Sequence, residues 1–273
     1  MASPSFIFGN LLNDDFLASI GESLNVLSAT SEDSSFPVDN VRDDKVATVW
    51  RTALSVNAGT ITANGFSFFP VIQSIAIINH NLTTTATIHI EASNNPAFPP
   101  AETTQFTMNV GTTKVDVFAQ INSGAIGKDR WRIIIDDTGN PDNNLEIGEL
   151  WFSEKHVEFI QSFNFGFTRD REFLQTVNTT RSGNSTVADF GLQKSFVLDW
   201  SILTDAARDQ IIKLIEDSKG AFKPFLFIPN PALPEVIEVR FESRISETLT
   251  SFGRHSIPSV RLIQEVGAVS LKD

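Results

Sequence analysis

The 273-residue sequence contains no cysteine. Disulfides and thiolate metal sites are excluded with it, so the fold must be held by its core, with subunit contacts the other source open to it. Tyrosine is also absent, although phenylalanine occurs 23 times. That removes the commonest aromatic of antibody-like and sugar-binding surfaces. No apolar run approaches the roughly 20 residues that a membrane helix needs. The first ten residues show no basic segment ahead of a long apolar stretch, so no signal peptide is expected. None of the four histidines, His80, His89, His156 and His255, sits in the HExxH zinc spacing. There is no GxSxG elbow, no Walker motif and no GxGxxG. No enzymatic activity is expected, and no cofactor.

What is present describes a folded protein. Hydrophobic residues make up 41% and charged residues 20%, a balance that buries a core rather than staying disordered. The length is comfortable for two domains. The net charge of −12 is uneven: residues 1–155 carry 18 acidic against 8 basic groups, and residues 156–273 carry 15 against 13. An acidic first half disfavours phosphate backbones. Neither nucleic acid nor membrane insertion is expected.

The pattern along the chain is mainly β. Ser74–Asn79, Ala86–Glu91, Gln105–Asn109 and Lys114–Phe118 are rich in β-branched or aromatic residues, and several alternate apolar with polar. Turn signals at Asn64-Gly65, Ala92–Pro100, Val110-Gly111 and Thr138–Asn144 separate them. Many short strands with no helix between them predict an antiparallel jelly-roll sandwich over residues 1–155. Residues 156–273 predict a β-rich α+β domain with one clear helix at about 205–218. Thr204 is its N-cap, Ala207, Ile211, Leu214 and Ile215 form its apolar face, and Gly220 stops it. Val157–Phe167, Gly191–Trp200, Pro224–Pro229, Val236–Ser243 and Ser256–Glu265 read as strands, and Thr176–Asn184 as a mobile loop.

Two segments hold the candidate binding residues. In Phe36–Thr52, the oxygens of Asp39, Asn40 and Asp43 could hold a structural calcium, which nothing else in the sequence supports, or tie the loop down by backbone hydrogen bonds. Trp50 reads as a plug for the sandwich before a sugar platform, and Arg51 as the partner of a carboxylate. In Asn79-His80-Asn81, at the end of a strand, His80 reads as a turn histidine before a ligand contact. The pairs Asp43-Asp44 and Asp136-Asp137 suggest shared carboxylate sites. Adjacent strand residues point to opposite faces, however, so turn capping is the favoured reading.

Phe36–Thr52, Ile75–Ile90 and Arg130–Phe152 together resemble the discoidin-like (galactose-binding-like) domains of bacteriophage tail proteins. The carriers are Trp50-Arg51, Asn79-His80-Asn81-Leu82, the turn Asn140-Pro-Asp142 and the strand Glu146-Ile-Gly-Glu-Leu-Trp151. More loosely, Trp200, the helix opening Leu203-Thr204 and Lys223–Pro229 resemble distal-tail or tail-tip components. The resemblance implies a structural protein of the virion tail, made in the host bacterial cytoplasm. It would form a ring, trimer or hexamer with itself and bind other phage tail proteins. The alternative is a carbohydrate-binding adhesin that grips a host surface glycan through Asp39, Asn40, Asp43, Trp50, Arg51, Asn79, His80 and Asn81.

Overall fold

The computed structural model describes residues 4–110, 117–120, 127–164, 167–179, 185–230, 235–242 and 245–265. In chain order, β1 (Ser5–Phe8), α1 (Asp14–Ser19) and β2 (Leu24–Ala29) lead to a 3-10 helix, Val38–Arg42, and a two-residue strand, β3 (Trp50–Arg51). Next come β4 (Ala58–Phe66), β5 (Ser74–His80), β6 (Thr87–Ser93), β7 (Thr104–Asn109), β8 (Val117–Gln120), β9 (Arg130–Asp136) and β10 (Glu146–Ser153). The remainder holds β11 (Lys155–Glu158), β12 (Thr168–Thr179), β13 (Ser185–Leu203), α2 (Asp205–Asp217), β14 (Phe225–Ile228), β15 (Ile237–Phe241), β16 (Thr248–Ser251) and β17 (Arg254–Gln264).

The molecule is mainly β, and its strands form three antiparallel sheets. A five-stranded sheet, β2-β4-β9-β6-β7, faces a four-stranded sheet, β3-β10-β5-β8, and together they make the jelly roll. Alternation builds its core: Trp131, Ile133 and Ile135 point inward from β9 and meet Ile75 and Ile77 of β5 and Leu150 and Phe152 of β10. Near-complete burial of this layer supplies about 25 cal/mol per Å² of apolar surface removed from water.

The third sheet runs β11-β1-β14-β15-β17-β13-β12, with β16 paired to β17. One of its faces carries Phe6, Phe8, Phe225, Phe227, Ile237 and Val239 and packs under α2 through Ala207, Ile211 and Leu214. The other face lies on the outer side of the four-stranded sheet. Ile7, Leu226, Ile228 and Val236 meet Ala76, Ile78, Trp151 and Val46 there. This explains why β5 and β10 read as nearly continuous apolar runs: both their faces are covered.

Several expectations change. The strand expected over Val157–Phe167 ends at Glu158. Phe159 and Phe163 instead pack on Trp200, at ring-centroid distances of 5.5 and 6.1 Å. The phenylalanines produce a strand-like pattern without ladder partners. The loop expected over Thr176–Asn184 is strand as far as Thr179, in the hairpin of β12 and β13. Gly111, Lys114–Asp116, Phe165, Gly166, Thr180–Asn184 and Ser243 lie outside the described residues. α2 is capped by Thr204, whose hydroxyl accepts the Ala207 N–H at 3.3 Å. Its left-handed stop begins at Lys219 (φ 51°) and continues through Gly220 (φ 66°). The short α1, capped by Asn13, has no counterpart in the sequence reading. β1 pairs with β11 and β14, so residues 5–8 belong to the sheet otherwise built after residue 154.

Candidate functional site

The fold brings the eight expected site residues to one end of the jelly roll. β10 lies between β3 and β5, so Ile147 is opposite both Trp50 and His80, and Glu146 is opposite Arg51. The loop from Asp43 to Thr48 crosses β10 at Gly148. A Cβ there would stand 2.7 Å from the Val46 carbonyl oxygen, so only glycine admits the loop. Asn79, at φ 52°, donates its amide to the same oxygen at 2.7 Å.

Most of these side chains serve the chain itself. Asp39 is exposed and pairs with Arg42 at 2.7 Å. Asn40 donates to the Val49 carbonyl at 2.8 Å. Asp43 accepts from the Thr48 hydroxyl at 2.8 Å and from the Lys45 N–H at 3.0 Å. These three do not converge on a common point for a cation, and among the described residues no group of three histidines or carboxylates could hold a metal ion. Trp50 is fully buried, so it plugs the sandwich and offers no stacking face. Arg51 pairs with Glu146 at 2.9 Å and lies over the Phe36 ring at 3.9 Å. His80 Nδ1 accepts the Leu82 N–H at 3.1 Å, and Asn81 accepts the Glu146 N–H at 2.8 Å while donating to the Asn144 carbonyl at 3.0 Å. Asp137 caps the neighbouring turn by accepting the Thr83 N–H and hydroxyl at 2.8 and 2.6 Å. The loops form a braced end rather than an open mouth.

A concave feature lies beside this end. A cleft of about 520 Å³ separates α1 and the Asp43–Lys45 loop from the C-terminal turn of α2 and the start of β14. Of the expected residues only Asp43 lines it. Asp44 entered the sequence reading as half of the Asp43-Asp44 pair, read there as a turn cap; Asp15, Phe16, Phe222, Lys223 and Arg240 were not named as site residues, because the cleft gathers its lining from four distant segments and no local spacing marks it. Phe222 is well exposed. Lys223 lies over the Phe16 ring at 5.1 Å and contacts the Ser19 hydroxyl at 3.3 Å. Burial, and then Lys219, hold the Lys223 ammonium below its ordinary value. Burial pushes the Asp44 carboxyl up to about 6, against the opposing pull of Arg240. The cleft thus offers carboxylate acceptors, an ammonium donor and two aromatic faces within one concavity.

No family model matches the chain, and no curated protein does. Solved structures do resemble its jelly roll. One is a V110M mutant of a chitosan-binding module from a chitosanase/glucanase of Paenibacillus sp. IK-5, at TM-score 0.38 and 16% identity, covering 53% of this chain and 98% of the module. Another is the family 32 carbohydrate-binding module of C. perfringens NanJ in complex with galactose, at TM-score 0.36 and 17% identity, covering 52% and 97%. A third is reduced XRCC1 bound to the DNA polymerase β catalytic domain, at TM-score 0.37 and 13% identity, covering 48% and 96%. These likenesses span about half of the chain, and none of the three is a viral tail protein.

Proposed function

We propose that this chain is a non-catalytic structural protein of a tailed-phage tail tip that assembles with copies of itself through its largest sheet. The observation that carries the reading is the open edge of that sheet. β12 runs 12 residues beside β13 and has no strand on its outer side among the described residues. A long edge strand invites pairing with another chain, and repetition of one such contact closes a ring. The virion placement is the expectation raised by Trp50-Arg51, Asn79–Leu82 and Glu146–Trp151 in the sequence, and the solved structures named above add nothing to it. The test is mass spectrometry of purified virus particles from the source culture. A fixed copy number in multiples of three or six supports a tail-tip ring; absence from particles defeats it.

A second reading rests on the cleft. Asp15, Asp43 and Lys223 can bond sugar hydroxyls, while Phe16 and Phe222 can face the apolar side of a pyranose ring. In this reading the jelly roll grips a host surface glycan weakly, and the assembled ring supplies avidity. The braced loop end, with Trp50 buried, favours the cleft over the residues named from sequence. A glycan panel probed with the intact protein and its Phe222→Ala and Lys223→Ala variants decides it. Binding that both variants weaken supports the cleft. No binding, or binding that neither changes, removes it.

A further inference from the structure

Among the described residues, the most exposed large apolar side chain is Phe252. It stands in the two-residue loop Phe252-Gly253 between β16 and β17, where Ser251 pairs with Arg254. Gly253 takes the left-handed φ of 66° that this turn demands, and the Thr250 hydroxyl donates to the Arg254 carbonyl at 3.1 Å. The base of the hairpin is tied to the first turn of α2. His255 Nε2 meets Asp205 Oδ1 at 2.7 Å, and Arg208 Nε donates to Glu247 Oε1 at 2.8 Å. Leu249 is exposed on β16 behind the tip. An aromatic ring on so short and well-tied a support has little freedom left to lose on docking.

The opposite end of α2 borders the cleft described above. Glu216 and Lys219 belong to one wall, Asp15 and Phe16 of α1 to the other, and Phe222 is exposed beside them. α2 has 13 residues, so the hairpin tip and the cleft lie about 20 Å apart along its axis, at 1.5 Å of rise per residue. A cavity of about 150 Å³ suffices for a benzene ring. The cleft, at about 520 Å³, has space for the Phe252 ring and for Leu249 behind it. Charge agrees on one wall. Arg254, exposed next to the tip, makes no ion pair among the described residues, and α1 carries Asp14 and Asp15 in its first turn with no basic residue in its last.

We propose that the Phe252 tip of one copy seats in the cleft of the next, its ring between Phe16 and Phe222 and Arg254 against Asp15. A rigid aromatic anchor entering a concavity is the usual centre of an interface. Tip and cleft are different surfaces at opposite ends of one helix, so the contact is heterologous. Each copy gives one tip and receives one, and repetition either closes a ring or runs on as a filament. The inference rests on the self-assembly reading above and adds a second contact to the β12 edge. It competes with the glycan reading, because tip and sugar would occupy the same cleft.

Sedimentation velocity of the full chain tests the contact, with Phe173→Asp present throughout so that charge on β12 silences the sheet edge. In that background the protein should still associate. Adding Phe252→Asp or Phe222→Asp should weaken association about thirtyfold or more, the loss expected of an aromatic hot spot. Both side chains are exposed, so both variants should keep the circular dichroism of the parent. Phe69→Asp, which charges an exposed aromatic outside both surfaces, should change nothing. An equimolar mixture of the Phe252→Asp and Phe222→Asp chains should give heterodimers and nothing larger, because each pair retains one intact tip and one intact cleft. Where the wild type associates and the Phe173→Asp background does not, the proposal is overturned and the β12 contact stands. A wild type that stays monomeric overturns it too, while the copy count in particles still decides the self-assembly reading. Association unchanged by Phe252→Asp, equal weakening by Phe69→Asp, or a mixture that stays monomeric each overturn it as well.

Discussion

At the scale of single residues, the end of the jelly roll shows how loop chemistry can imitate a binding site. Asp39, Asn40, Asp43 and Asn79–Asn81 are the residue types that hold ions and sugars, and also the types that bond their own backbone. Sequence alone leaves the two uses open; what decides between them is the direction of each side chain. Asn79 and Gly148 matter most here, because together they let the Val46 carbonyl sit against β10. Gly148→Ala should therefore destabilise the protein by about 1–3 kcal/mol, the usual cost of forcing a methyl group into occupied space. Trp50→Ala should cost about 3–5 kcal/mol, because it empties a fully buried site. Asp39→Ala should change stability by less than about 1 kcal/mol, since its ion pair is exposed and Arg42 keeps Asp14 as a partner at 2.7 Å. Urea denaturation of the three variants checks the order. A loss from Asp39→Ala as large as that from Gly148→Ala would show that the loop is held from its outer side.

At the scale of elements, local pattern identified most strands and the one long helix, because each has a period that burial enforces. Thr204→Ala should lower stability by about 1 kcal/mol through its lost cap, measurable by thermal unfolding. The pattern failed where chemistry and period disagree. The polar Thr176–Thr179 reads as loop, yet it extends a strand whose ladder to β13 continues through Thr179–Ser185. Phe159 and Phe163 read as strand, yet they fill space beside Trp200. Glu238 reads as the solvent side of an alternating strand, but a second sheet covers that side. The β12 edge carries its own prediction. Phe173 is exposed on that strand. Phe173→Asp should leave the circular dichroism of the subunit unchanged and, in sedimentation, shift any assembly towards the monomer, because charge on an edge strand opposes pairing. An unchanged assembly would place the contact on another surface.

At the scale of the whole molecule, the decisive pairing is one that no local window can contain. β1 fills the gap between β11 and β14, more than 140 and 210 residues away in sequence respectively. Its four residues are all buried: Phe6 stacks on Phe227 and Phe8 packs at a tilt against Phe225 on the α2 side, while Ile7 enters the layer against the jelly roll. A cut at residue 155 therefore divides the sequence but not the packing. A fragment of residues 156–273 would expose the flanks of β11 and β14 and lose a three-residue apolar wedge. Removing Phe6, Ile7 and Phe8 forfeits about 1.5–3 kcal/mol for each buried side chain, a sum comparable with the 5–15 kcal/mol that holds an ordinary domain together. The fragment should fail to give a cooperative unfolding transition alone, and a peptide of residues 1–12 added in excess should restore it. A fragment of residues 10–154 keeps both jelly-roll sheets, so it should unfold cooperatively, although Ala76, Ile78 and Trp151 become solvent-facing and should raise its tendency to associate. Cooperative unfolding of 156–273 without the peptide would show that β1 is an accessory strand and that the two halves fold as independent domains.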